Sequence, residues 1–309
     1  MSSKPTLNQA KALTITFLTP VSLGSLNGSD KEADNLSSIK KLTRGTRAYP
    51  YVSSQALRRA LRDQLGVMGN ELSEGAVAKE KKGAAITECL PAEYIDDDLF
   101  GFMDASRGGT HKRTSPVRVS PLLALDPYEG DIDFGTNYMS VDSGGNPNIF
   151  ETEIHGGLYR GTLLIELDAV GRSRQGEGVS ASEPKKSWEL DAGTKAARVT
   201  ALLSALQHLW SSGRQSRFLA DISPKFIAAA VLTAKVPVFL ESVRGVRAER
   251  ETAIDCKAIA EAVEDSKKIT VEHCIGARSG FFTQVPDGAL TVGEAFNTIL
   301  GWVRGYYGA

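Results

Sequence analysis

The sequence predicts an α+β fold, because short segments in which apolar and polar residues alternate are interleaved with segments of helical periodicity. The chain of 309 residues is 41% hydrophobic, which is enough for a packed core, and 24% charged, which is ordinary for a folded protein. No segment approaches the ~20 consecutive apolar residues that a membrane span requires. The first residues are polar and lack the apolar segment of a secretory signal, so we expect a cytoplasmic protein with no membrane partner.

The first half of the chain contains the clearest local signals. Residues 12–19 alternate apolar side chains with threonines, which predicts a half-buried strand that Pro20 ends. A polar loop is predicted at 21–34, and Ser53 or Ser54 is expected to cap the next helix. The other predicted elements are a helix to residue 65, strands at 116–123, 158–169, 226–233 and 268–275, and helices at 194–210, 255–265 and 291–303.

The order of the first six main elements is strand, helix, strand, strand, helix, strand. This is the order of a ferredoxin-like core, the architecture of RNA-recognition modules. Two insertions interrupt it: residues 66–98 have weak periodicity, and residues 126–156 are polar, Gly-rich and too long for a plain connection. We therefore predict a single elaborated domain, with core elements at 12–65, 115–124 and 158–240 and a C-terminal elaboration at 241–309.

Metal and cofactor sites are not expected. The three cysteines (Cys89, Cys256 and Cys274) are odd in number and lack CxxC spacing, which favours reduced thiols. The four histidines are scattered, and no phosphate-binding glycine motif or nucleophile elbow is present. The three aspartates at 96–98 are predicted to be a solvated run, because adjacent carboxylates rarely converge on one ion.

Charge is concentrated in one segment, residues 40–62. This segment holds seven Lys and Arg residues and no Asp or Glu, whereas the whole chain has a net charge of −1. The free N–H groups at a helix start form an anion site, and Arg58 and Arg62 lie four residues apart on one helical face. Regularly spaced phosphates would satisfy these donors, whereas the alternative is an ordinary solvated helix face. Since Arg58 and Arg59 lie off the apolar stripe, their replacement is expected to change stability little.

The sequence YVSSQALRRALR, residues 51–62, resembles a signature of the backbone subunit of type I CRISPR Cascade complexes, in the DevR branch of the RAMP superfamily. Type I-B is the expected subtype. The likeness extends over residues 12–240, whereas 66–98 is shorter than the helical domain of some branches and the chain after Arg244 is not matched. Three further stretches match in the family's order: a short motif at 99–103, the end of the family's thumb with its central strand at 148–167, and a basic turn at 212–217. We call residues 126–156 the thumb.

The resemblance implies guide-RNA (crRNA) binding along the phosphate backbone, without catalysis. It also implies copies that stack head to tail, target DNA recognised by guide pairing, and two partner subunits, a large subunit and one that caps the guide 5′ end. The thumb is expected to fold as a β-hairpin that places an apolar tip beside a flipped nucleotide. The residues assigned to RNA binding are Asn27, Lys40, Lys41, Arg44, Arg47, Ser53, Ser54, Gln55, Arg58, Arg59, Arg62, Met103, Lys112, Arg113, Tyr138, Met139, Phe150, Arg214 and Arg217.

Two other functions stay open. A type III-like backbone subunit would cut target RNA through a loop aspartate, for which Asp30 and Asp34 are the candidates, although Asp in such loops commonly serves turns. A stand-alone RRM-type protein would need aromatic residues on its central strands, and Tyr159 is the one candidate on the third strand.

Overall fold

The computed structural model describes residues 5–28, 36–74, 87–104, 111–137, 144–145, 148–210, 215–248 and 251–309. Its strands are β1 (Ala12–Gly24), β2 (Leu36–Ser37), β3 (Lys41–Arg44), β4 (Arg47–Val52), β5 (Phe102–Asp104), β6 (His111–Arg113), β7 (Val117–Val119), β8 (Leu122–Ala124), β9 (Asp131–Asn137), β10 (Asn148–Ile165), β11 (Phe226–Leu232), β12 (Gly245–Ala248), β13 (Glu251–Ile254) and β14 (Thr270–Ala277). Its helices are α1 (Ser54–Val67), α2 (Ile95–Phe100), α3 (Ala192–Gln207), α4 (Gln215–Phe218), α5 (Cys256–Ser266) and α6 (Val292–Tyr307). The predicted α+β class is confirmed.

One large sheet organises these elements, with the strand order β14-β11-β1-β10-β8-β4-β3. The central strand β1 pairs antiparallel with β10 on one side and with β11 on the other, so that Ile15 lies between Leu163 and Ala229. Strands β7 and β8 also pair with β10, at its residues 163–165 and 159–160 respectively. Among the described residues, no helix is both long and apolar enough to cross a bilayer.

Both faces of the sheet are covered, which differs from the half-buried strand predicted at 12–19. Leu13, Ile15 and Phe17 of β1 lie in a core that includes side chains of α1, α3 and α6. The opposite face carries a second core, in which Leu18 packs with side chains from residues 239–259. The C-terminal elaboration thus covers the second face of the sheet, which the alternating pattern of β1 does not predict.

Pro20 does not end β1, which continues through it to Gly24. Pro20 is paired with Leu158 of β10, whereas the pairing of β1 with β11 stops at Leu18. Proline is tolerated in a strand where one edge is unpaired, because its missing N–H is not needed there. The predicted loop at 21–34 is correspondingly shorter at its start.

The prediction that the aspartates at 96–98 are solvated was wrong. All three are buried in α2, with at most 3% of their surface exposed. Asp98 accepts hydrogen bonds from the guanidinium groups of Arg113 and Arg198 and from the Gly171 amide. Arg113 follows Asp98 by 15 residues and Arg198, in α3, follows it by 100, so the acidic run is the centre of an ion-pair network that joins α2 to β6 and α3.

Candidate nucleic-acid interface

The basic segment 40–62 forms strands β3 and β4 and helix α1. A two-residue turn joins the strands, and Gly45 adopts a left-handed conformation there, with φ +61°. Arg44 and Arg47 are directly paired across the hairpin, and both are exposed. Like charges in this arrangement destabilise a strand pair. A bound anion would relieve that repulsion.

The start of α1 is built from three segments of the chain. Ser53 is the N-cap residue, and its side chain accepts a hydrogen bond from the Ala56 amide at 3.3 Å. The Ser53 amide in turn donates to Asn27 Oδ1 at 2.8 Å, and the Asn27 carbonyl accepts from the Lys40 amide at 2.9 Å. Asn27 thereby joins the end of β1 to the beginning of the basic segment and to the helix start.

The amides of Ser54 and Gln55, in the first turn of α1, have no partner within the part of the chain that the structure describes. Such amides carry the positive end of the helix dipole and are able to bind a phosphate oxygen. Gln55 is exposed and Ser54 is half-buried, so both are accessible from one side.

The three arginines of α1 have different environments. Arg58 is half-buried and donates to Ser115 Oγ at 2.6 Å and to the Val117 carbonyl at 3.0 Å. Arg62 forms an ion pair with the buried Asp96 at 2.6 Å. Arg58 and Arg62, both predicted to bind phosphates, thus have protein partners, because α1 turns this face toward the segment that contains α2 and β7. Burial also lowers the pKa of Arg58 from its ordinary value.

Of the three arginines of α1, Arg59 is the one on the surface. Its side chain is 65% exposed, and its ion pair with Asp63, one helical turn later, has an N–O distance of 2.7 Å. Pairs of this kind contribute at most about 1 kcal/mol, so a phosphate is able to compete for the guanidinium. Arg44, Arg47 and Arg59 are thus the exposed arginines of the basic segment.

This difference predicts effects of different size on the free energy of unfolding for two adjacent residues. Arg58→Ala is expected to lower the free energy of unfolding by about 1–2 kcal/mol, because it removes two hydrogen bonds to the 115–117 segment. Arg59→Ala is expected to change it by less than about 0.5 kcal/mol. Urea denaturation followed by circular dichroism measures both values. Equal stabilities of the two variants would contradict this assignment.

Lys41 is committed to the root of the thumb. Its Nζ lies 2.7 Å from both carboxylate oxygens of Glu153 and 4.4 Å from the centre of the Tyr128 ring. Glu153 also accepts from the Ile39 amide at 2.8 Å. The Lys41 side chain, predicted to bind RNA, is neutralised by a protein carboxylate instead, and it fixes the thumb against the strand that leads to the basic hairpin.

Arg217 of α4 holds the other face of the thumb. Its guanidinium lies 4.6 Å from the centre of the Phe150 ring and donates to Thr152 Oγ1 at 3.1 Å and to Asp133. Phe150 and Arg217 were predicted separately as RNA contacts, and the structure brings them together. About a third of the Arg217 side chain remains exposed, so it is accessible to a phosphate from outside the hairpin.

The thumb is a β-hairpin, as predicted. Strands β9 and β10 pair antiparallel from Asp131–Ile154 to Asn137–Asn148. One face exposes apolar side chains: Ile132 is 49% exposed, Phe134 61% and Ile149 41%. The sequence analysis does not single out Ile132 and Phe134, although their spacing of two residues in a polar segment indicates that they share one face of a strand.

The charge of the thumb is opposite to that of the basic segment. Residues 126–156 contain seven Asp and Glu residues and no Lys or Arg. This charge disfavours a phosphate chain next to the thumb, whereas the exposed apolar side chains of the thumb are suited to contact with bases. The exposed cations nearby are in the basic hairpin, in α1 and at Arg217.

A second antiparallel strand pair, β5–β6, carries three more of the residues that were predicted to bind RNA. Met103 and Lys112 are directly paired, and both side chains are exposed. Arg113, the next residue, is buried and bonded to Asp98 and Glu177. Its assignment as an RNA contact was wrong, because alternation along β6 turns it into the ion-pair network beneath.

Five residues that the sequence singles out as functional candidates lie outside the described ranges. They are the predicted RNA contacts Tyr138, Met139 and Arg214, and the alternative catalytic residues Asp30 and Asp34. Within the described ranges, no group of His, Cys, Asp and Glu side chains is arranged to hold a metal ion.

Comparison with known proteins gives a consistent result. The family model described as CRISPR-associated negative auto-regulator DevR/Csa2 matches residues 15–250. The chain is similar to the CRISPR-associated protein Cas7/Cst2/DevR of Myxococcus xanthus (strain DK1622), with 26% identity over 245 residues, 72% of this chain and 73% of the relative.

Solved structures support the same fold. A chain from a pre-nicking CRISPR RNA-guided surveillance complex superimposes with a TM-score of 0.61 at 14% identity, covering 94% of this chain and 100% of that one. A chain from another CRISPR RNA-guided surveillance complex gives a TM-score of 0.53 at 15% identity, covering 94% and 98%. The family match spans most of β1, the basic segment, the thumb and the other strands of the large sheet except β14, and the chain therefore belongs to the CRISPR-associated DevR/Csa2 family.

Proposed function

We propose that this chain binds a guide crRNA along its phosphate backbone and that copies of it form the helical backbone of a type I CRISPR surveillance complex. The observation that carries the proposal is the capped start of α1, which lies between the basic β3–β4 hairpin and the exposed Arg59. Membership of the DevR/Csa2 family and the likeness to chains of RNA-guided surveillance complexes support it.

The proposal includes a ferredoxin-like core. In the large sheet, the four predicted core strands follow the order β11, β1, β10 and β8, which is fourth, first, third and second along the chain. Helices α1 and α3 both contribute to the core on one face of these strands. This order and the shared face support the proposal of a ferredoxin-like sheet with the insertions and the C-terminal elaboration added around it.

In this mechanism, the protein reads the shape and charge of the guide and leaves sequence to base pairing. Arginines at the start of α1 and in the basic hairpin neutralise phosphates, which makes affinity independent of guide sequence and strongly dependent on salt. Target DNA is then recognised by pairing with the exposed guide bases. Copies associate head to tail, a contact that grows a helix rather than closing a ring. The large subunit and the subunit at the guide 5′ end are the other expected partners, in the cytoplasm.

The proposal is tested by the RNA that accompanies the protein. Chain purified from cells that carry a CRISPR array is expected to hold RNAs of uniform length, each with one spacer flanked by repeat sequence. Sequencing of the extracted RNA measures this. A mixture of unrelated cellular RNAs would favour a stand-alone RNA-binding protein, and a preparation free of RNA would contradict the proposal.

We further propose that the chain is not an enzyme. The assembled complex, incubated with Mg²⁺ and a labelled RNA complementary to the guide, is expected to leave that RNA intact, because the sequence offers only the loop residues Asp30 and Asp34 as candidate catalytic groups. Gel electrophoresis of the labelled strand is the measurement. Regularly spaced products that disappear in Asp30→Ala or Asp34→Ala would assign the chain to the RNA-cutting type instead.

A further inference from the structure

A broad groove of about 960 Å³ lies where the end of α3, the segment 219–224, the end of β14 and the start of α6 meet. Two large apolar side chains on its wall face solvent: Trp210 is 39% exposed and Leu219 is 75% exposed. Exposed side chains of this size on one concave surface are typical of a binding site rather than of a free surface.

Leu219 is also held in an unfavourable backbone conformation. Its φ is +50°, in the left-handed region that residues other than glycine seldom adopt. The intrinsic preference of leucine does not explain this backbone conformation. Burial of the side chain does not explain it either, since the side chain is exposed. Strained residues of this kind cluster at ligand-binding sites.

The groove wall is close in sequence to the candidate nucleic-acid interface. Leu219 follows Arg217, which lies over the thumb, by two residues. Next to it, Ala220 is packed so closely on the end of β1 that a side-chain carbon at Gly24 would lie 3.0 Å from the Ala220 Cβ. The short segment that carries Leu219 thus links Arg217 of the candidate interface to the wall of this groove.

The charge on the groove wall favours an anionic occupant. Arg278 is exposed on the wall, with its guanidinium 5.9 Å from the centre of the Phe281 ring. The carboxylate on the wall, Asp221, is neutralised by Lys225 at 2.7 Å. Among the described residues, Arg278 has no carboxylate within ion-pair distance, and the wall also carries the exposed ring of Trp210. Proteins bind single-stranded nucleic acid with an aromatic ring that stacks on a base and a cation that contacts the phosphate.

We propose that this groove binds an unpaired nucleotide of the RNA, with its base against Trp210 and Leu219 and its phosphate toward Arg278. The inference rests on the proposed function, because that function brings RNA to the neighbouring surface. It adds a base-contacting site on the side of the sheet that the C-terminal helix α6 covers, separate from the thumb.

The test uses a short single-stranded oligouridine with 5-iodouridine, the purified chain, and three variants. Trp210→Ala is expected to weaken binding about tenfold, within the range for loss of one base–aromatic stack, whereas Trp210→Phe should retain most of the affinity. Val236→Ala removes an apolar side chain with similar exposure (40%) elsewhere on the surface and should have no effect. Ultraviolet cross-linking followed by mass spectrometry should place the RNA on the peptide that contains Trp210.

Unchanged affinity in Trp210→Ala, or cross-links confined to other peptides, would overturn the inference. So would a variant that binds RNA normally as a single copy but forms shorter arrays in native mass spectrometry, because the groove would then hold a second copy of the chain. The proposed function fails on a different result: loss of the exposed arginines of the basic segment without effect on RNA binding, whatever Trp210→Ala does.

Discussion

Replacing Arg44, Arg47 and Arg59 together with alanine is expected to lower the affinity for guide RNA by about a hundredfold at low salt. Each arginine is exposed and able to neutralise one phosphate, and counterion release makes such contacts additive to a first approximation. The magnitude of the slope of log K against log salt concentration should decrease by about 2, because each of the three lost contacts contributes ~0.7 to it on a single strand. The loss should be the same for guides of unrelated sequence, because phosphates carry no sequence information.

Fluorescence anisotropy with two unrelated guides, measured across a salt series, provides both quantities. The matched control removes three exposed lysines far from this segment in sequence, Lys185, Lys186 and Lys257. It changes the net charge equally and should alter the affinity by less than about threefold. If the control variant and the arginine variant lose affinity equally, binding depends on net charge and the basic segment is not the binding surface.

Asp98→Ala is expected to lower the free energy of unfolding by about 3–5 kcal/mol, because it removes the carboxylate that pairs with the buried Arg198 and leaves the buried Arg113 with Glu177 alone. Both guanidinium groups have at most 7% of their side-chain surface exposed, so water is not able to replace the lost partner. A loss of this size is a large fraction of the stability of an ordinary domain. Removal of Asp63, whose partner Arg59 is exposed, should cost less than about 1 kcal/mol.

Urea denaturation of the two variants and of the parent chain gives the comparison, with the midpoint and the slope fitted separately. Asp98→Asn adds a useful intermediate, since it preserves the shape of the side chain but removes its charge. A midpoint for Asp98→Ala within error of that for Asp63→Ala would show that the network at α2 contributes nothing to stability.

Elements whose signals are local were predicted well. Helix α1 begins after Ser53 because the serine side chain satisfies an amide of the first turn, and a cap of this kind requires only residues that are neighbours in sequence. The capping box of α6, with Thr291 and Glu294, is equally local. The thumb was predicted as a hairpin because polar and Gly-rich residues are unable to form a core alone, and β9 and β10 pair in that way.

Charged side chains were predicted less well, for a physical reason. Whether a guanidinium is available to a ligand depends on the carboxylate nearest to it in space, and that carboxylate can be far away in sequence. Arg198 and Asp98 are 100 residues apart, and Lys41 and Glu153 are 112 residues apart. No pattern within a window of the sequence contains either pair.

The sequence alone determined the concentration of positive charge at 40–62, the motif that places the chain in its family, and the order of the core elements. Each of these properties depends on residues that are neighbours in the sequence or on their order along the chain, and folding does not alter it. Tertiary structure decided which cations remain for a ligand. It committed Arg58, Arg62, Arg113 and Lys41 to protein partners and left Arg59 and the hairpin arginines exposed, because burying a charge is tolerated only where a distant partner is brought into contact with it.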